Sequence, residues 1–156
     1  MQAKRGSAGV VVVTLALAVG CHSGGPATSA SSAEVVVHTA GETQMLTVQV
    51  ADTPDLRAKG LMVKVSLDPS SGMAFVWAQP TTSTFWMKDT LIPLSIAFWD
   101  AAGKIVAIRE MTPCRADPCE TYGSPVAYVG AVEANAGWFA AHGAKVGDVI
   151  ELKRGP

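Results

Sequence analysis

Hydrophobic and polar positions alternate with a period of two along much of the chain. Leu46, Val48 and Val50 are separated by Thr47 and Gln49, the pattern of a half-buried strand. With Glu34–Thr39 before it and the turn "AGET" between, Gln44–Ala51 predicts a hairpin. The period then changes. Thr53 and Pro54 supply an N-cap and a proline for the first helical turn, and Ala58, Leu61, Met62 and Val65 recur at helical spacing. A helix of about ten residues follows from that spacing. Strands return at Gly72–Trp77, at "TFWMK" and at Leu94–Trp99, which the turn "DAAG" joins to Lys104–Met111. Asp100 opening and Gly103 closing that turn fit a type I turn. Val126–Ala134 reads as a further strand, Ala136–His142 as a short helix capped by Asn135 and closed by Gly143, and Val149–Leu152 as the last strand. The expected class is α+β. We expect a compact, largely antiparallel sheet or partly closed barrel, with seven to eight short strands and two short helices.

The N-terminus breaks this pattern. Lys4 and Arg5 precede Ala8–Gly20, an uncharged apolar run too short for a membrane span, which needs about 20 residues. It reads as a signal segment, and "LAVGC" resembles a lipobox, so residues 1–21 are read as a lipoprotein-type signal peptide ending at a lipidated Cys21. Cleavage after Ala18 is the alternative and would leave a soluble secreted or periplasmic protein. Residues 22–33, rich in Ser, Gly and Ala, read as a flexible tether, and a single globular domain as residues 34–156. His22 rather than Asp after the lipidated position favours the outer membrane where the cell has one. The expected partners are therefore the membrane, through the N-terminal lipid, and an envelope glycan, a small anion or a protein. The net charge of −1 disfavours nucleic acid.

Several motifs occur in a recognisable order: "RAKGLM" at Arg57–Met62, "GMAFVW", "FWMKDTLIPL" at Phe85–Leu94, "DAAGKIV", "YVGAVEANAG" at Tyr128–Gly137 and "HGAKVGD" at His142–Asp148. Together with a "PC…PC" loop they resemble the exported bacterial and archaeal family known as domain of unknown function 192. The resemblance spans about Val48 to Leu152 and implies a β-rich fold and export, with no established activity. Two positions depart from the family pattern. Asp89 stands where Asn is usual and Ser95 where Asp is usual.

Candidate chemistry centres on Lys88 and Asp89, which interrupt an apolar stretch. They are either a strand end or, with Trp86, a patch that meets a ligand through an indole face and an ammonium. Lys88 is alternatively paired with Glu133 or Glu110. Arg57 offers a guanidinium fork for a carboxylate or phosphate, or a tie to Asp89. The ligand-binding set is thus Arg57, Trp86, Lys88 and Asp89, and catalytic residues are not assigned. Trp77 and Trp99 read as core, Trp86 and Trp138 as surface aromatics. An exported chain with three cysteines leaves Cys114 and Cys119 to form a disulfide beside a lipidated Cys21. Neither His38 nor His142 lies at a metal spacing, so no metal and no cofactor are expected. Common hydrolase, P-loop and dinucleotide motifs are missing from the sequence. The functional expectation is a non-enzymatic binding module on a membrane-anchored lipoprotein. The alternatives are an envelope hydrolase using Asp89 or Glu133 with Lys88 or Arg57, and an assembly partner of another envelope protein.

Overall fold

β-branched residues open the domain. In the computed structural model, which describes residues 30–155, β1 runs Ser31–His38 and places Val35, Val36 and Val37 in the interior. It starts three residues ahead of the Glu34 boundary, taking up the end of the expected tether. Residues 1–29, which hold the expected signal peptide with Cys21 and most of the tether, lie outside the described residues. Thr39 closes the turn to Glu42, and β2 follows at Thr43–Ala51. The Thr53 side chain accepts a hydrogen bond from the Leu56 amide at 3.3 Å, and Pro54 begins α1 (Pro54–Lys59). This helix has six residues rather than the ten expected from spacing. Gly60, at a φ of 48°, ends it, and Leu61 is buried from the turn that follows.

β3 (Ser71–Thr81) lies parallel to β2, so β2, α1 and β3 form a crossover that holds the helix against one face of the sheet. β4 (Phe85–Trp86) is only two residues long and pairs with β7 (Thr121–Tyr122) in a separate ribbon. β5 (Leu94–Trp99) and β6 (Ile105–Met111) form the expected hairpin, β8 (Tyr128–Asn135) lies between β3 and β5, and β9 (Val149–Arg154) pairs with β1. The order is β6-β5-β8-β3-β2-β1-β9 in one mixed seven-stranded sheet. Its outer strands meet at one corner through the bridge Lys104↔Val149, but the sheet is not closed into a barrel. A ladder, not a single bridge, is what closure needs. The partly closed alternative is corrected accordingly.

β5 is buried along its whole length because the curled sheet is covered on both faces. Ala97 and Trp99 join a cluster with Val35, Leu46, Val132 and Phe139, while Leu94, Ile96 and Phe98 join one with Phe75, Met87, Tyr128 and Ala131. The sequence assigned Trp138 to the surface. It is buried in α2 (Trp138–Ala141), stacked on His142 at 4.2 Å. Gly137, in a left-handed conformation, begins that helix in place of Asn135, whose side-chain amide donates to the Leu67 and Asp68 carbonyls.

Candidate functional site

α1 does not seal the sheet face it crosses. Between it, β3 and β4 lies a cleft of about 350 Å³, at the lower end of the usual ligand-pocket range. Phe75, Trp77, Phe85 and Trp86 supply aromatic walls, α1 contributes Arg57 and Lys59, and Glu133 reaches the cleft from β8. The register explains the last of these. Glu133 stands opposite Met73 on β3 and Ile96 on β5, both members of the cluster beneath α1.

Each wall is held from below. Arg57 donates from Nη1 to the Val76 carbonyl at 2.9 Å and lies over the Trp77 ring at 5.1 Å, which fixes the guanidinium plane. Trp77 is half-buried, so the ring read as core is a cleft wall. Phe85 meets Phe75, Trp77 and Phe98 edge to face. The Tyr128 hydroxyl donates to the Ser83 carbonyl at 2.6 Å, which anchors the segment before β4, and burial pushes the phenol up to about 12.

Glu133 differs from the other ionisable groups. It is only 5% exposed, no side-chain hydrogen bond or ion pair among the described residues satisfies it, and burial alone pushes its carboxyl up to about 8. Its oxygens are not sealed in as orphaned atoms, and they open onto the cleft. A buried titratable group in an aromatic cleft is the physical signature of a functional position.

The sequence-derived set divides in two. Arg57 and Trp86 line the cleft, whereas Lys88 and Asp89 flank it. The Lys88 ammonium binds Asp117 at 2.9 Å rather than Glu133 or Glu110, and lies 5.8 Å from the Trp86 ring centre. The hydrogen bond to Asp117, and then its charge, hold the ammonium above its ordinary range, the opposite of what a lysine general base requires. Asp89 is exposed and lies at a φ of 54°, and its carbonyl accepts from the Val63 amide at 2.8 Å. Val63, at 57°, is also left-handed, a costly conformation for a β-branched residue. Two turns beside the cleft are thus locked to each other through strained residues. Asn and Asp are the side chains that best tolerate such a conformation, so Asp89 in place of the family's Asn preserves the turn.

The other departure lies on the opposite face. Ser95 is buried, donates to Glu110 at 2.6–2.7 Å, and accepts from the Gly137 amide at 2.7 Å, so it fastens the start of α2 rather than facing the cleft. Cys114 and Cys119 form the expected disulfide. The Cys114 amide donates to the Met87 carbonyl, so the loop that carries Asp117 is tied to the strand segment that carries Lys88. Cys114, Asp117 and Cys119 are close enough to resemble a metal site, but thiols joined in a disulfide supply no thiolate ligand.

The motif order, the crossover and the cleft have their counterpart among known proteins, and the match covers residues 35–152. The chain belongs to the DUF192 family. That family is described only as an uncharacterised one. Among curated proteins none matches this chain. Two crystal structures share the DUF192 fold. One is of a candidate transcription regulator from Sinorhizobium meliloti, 31% identical, with a TM-score of 0.74 over 80% of this chain and 95% of that one. The other is of a protein of unknown function from Novosphingobium aromaticivorans, 28% identical, with a TM-score of 0.74 over 81% of this chain and 89% of its own.

Glu133, a candidate acid in the sequence but outside its ligand set, and Trp77, read there as core, are both cleft residues. The available signal was local. A lone carboxylate in the apolar strand "YVGAVEA" either finds a partner or faces a cavity.

Proposed function

We propose that this DUF192 protein is a membrane-anchored envelope lipoprotein whose domain binds, without catalysis, an envelope glycan or small anion in the α1–β3–β4 cleft. The observation that carries this reading is the combination of aromatic walls, a stacked guanidinium and one unpartnered buried carboxyl in a cavity of about 350 Å³. Flat aromatic faces suit a sugar ring, and Arg57 with Lys59 suits an anion. The N-terminal signal and tether supply the envelope address. The −1 net charge gives no support for carrying over the regulator description of the Sinorhizobium protein.

A hydrolase is the second reading, favoured by Glu133 alone, since a carboxyl held near 8 is suited to general acid catalysis. Glycoside cleavage of the usual kind needs two carboxyls, and Glu133 is the only one among the described residues lining the cleft. Binding is therefore the better supported role.

Titration of tryptophan fluorescence with envelope glycan fragments and small anions tests it. Trp86→Ala should weaken binding roughly tenfold or more, as stacked aromatic anchors do. Because Trp86 is 52% exposed, the melting temperature should change little. Unchanged affinity in a folded Trp86→Ala protein would remove the cleft as the site.

A further inference from the structure

We propose that the ligand is a ring bearing a carboxylate, held with the Glu133 carboxyl as hydrogen-bond donor to that carboxylate and with Arg57 as its counter-ion. This rests on the cleft-binding reading above and adds the ligand's chemical class to it.

The ionisable groups lining the cleft are Arg57 and Lys59 from α1 and Glu133 from β8, while β3 and β4 contribute aromatic rings there. Counting formal charges leaves one net positive charge. Burial changes that count, because Glu133 keeps its proton at neutral pH and both cations stand unbalanced. Lys88 does not line the cleft and is already neutralised by Asp117, and Asp89 points its exposed side chain elsewhere than the lining. A cleft lined by two cations and a neutral acid favours an anion over a cation or a neutral ligand.

Hydrogen bonding then selects among anions. Glu133 has no side-chain partner among the described residues and lines the cleft, so a protonated carboxyl there can donate to a bound group. A neutral carboxyl and a ligand carboxylate share that proton in a short, charge-assisted bond. Arg57 spends one N–H on Val76 and keeps the rest of its fork for the same carboxylate. Phe75, Trp77, Phe85 and Trp86 ask for a flat or ring-shaped body rather than a bare anion. A uronic sugar and a small aromatic acid share this chemistry, and the test separates them.

The test is calorimetric titration of the full-length protein in detergent with digalacturonate, phenylacetate and neutral galactobiose, at pH 6.5 and pH 9.5, for wild type and Glu133→Gln. At pH 6.5 at least one of the two acids should bind, at least about tenfold more tightly than galactobiose. Which acid binds names the source of the ring. Raising the pH to 9.5 takes the Glu133 proton and sets two carboxylates against each other, so wild-type affinity should fall roughly tenfold or more. The ligand carboxylate is ionised at both pH values. Glu133→Gln has no group that titrates in this range, so whatever its affinity at pH 6.5 it should lose most of the pH dependence. Equal binding of galactobiose, or a pH fall that survives in Glu133→Gln, overturns the carboxylate assignment while leaving a binding cleft in place. Failure of all three ligands to bind the folded wild type removes both readings.

Discussion

Glu133→Gln should stabilise the protein at alkaline pH and leave it nearly unchanged in acid. The sign follows from linkage. The folded state holds the Glu133 proton up to about 8, whereas the unfolded chain releases it near the ordinary value of 4.5. Between those values the native state binds more protons than the unfolded state, so raising the pH removes stability. The contribution is fully present below 4.5 and fully lost above 8, a difference on the order of 5 kcal/mol. Gln does not titrate and carries no such slope. Above pH 8 the variant should therefore melt roughly 10 °C higher than wild type, converging with it toward pH 4.5. Thermal melts of both proteins between pH 4.5 and 9 check this. Two parallel profiles would mean that Glu133 does not hold a buried proton.

Phe98→Ala should be the most destabilising single truncation near the cleft. Phe98 is fully buried near the C-terminal end of β5 and meets Phe85 at 5.7 Å and Tyr128 at 4.9 Å, both edge to face. Removing a fully buried phenyl ring costs about 3–5 kcal/mol, through lost burial and the cavity left behind. The loss reaches function as well, because Phe85 is a wall of the cleft and Tyr128 anchors Ser83. A urea midpoint shift corresponding to less than about 1 kcal/mol would show that this cluster is not the support described.

The sequence was most informative where one rule acted alone. Leu94–Trp99 was read with its observed boundaries because apolar β-formers were bounded by Pro93 and Asp100. The Cys114–Cys119 pairing followed from parity once the chain was read as exported. It was least informative where two rules competed. Apolar spacing extended α1 through Val65, but Gly60 at positive φ stopped it after Lys59. "TFWMK" looked like a full strand, yet only Phe85–Trp86 pair, because the chain turns at Asp89 in the left-handed region.

The cleft was half legible. "RAKGLM" and "FWMK" pointed to Arg57 and Trp86, whose residue types advertise binding wherever they fall. Trp77 and Glu133 belong to the site only because β3 and β8 are neighbours, a pairing between segments more than forty residues apart that no local pattern encodes. The parallel contact of β2 with β3, which places α1 over that face, is equally non-local. Asp89 drew attention as a charge in an apolar stretch. Its role in the structure is conformational, in a turn locked to Val63.

The most direct measurement is a crystal structure of the protein soaked with digalacturonate and with phenylacetate. Ring density is expected against Trp77 and Trp86, with a carboxylate within hydrogen-bond distance of both Glu133 and Arg57. A well-ordered cleft that stays empty while the ligand binds elsewhere on the domain would contradict it.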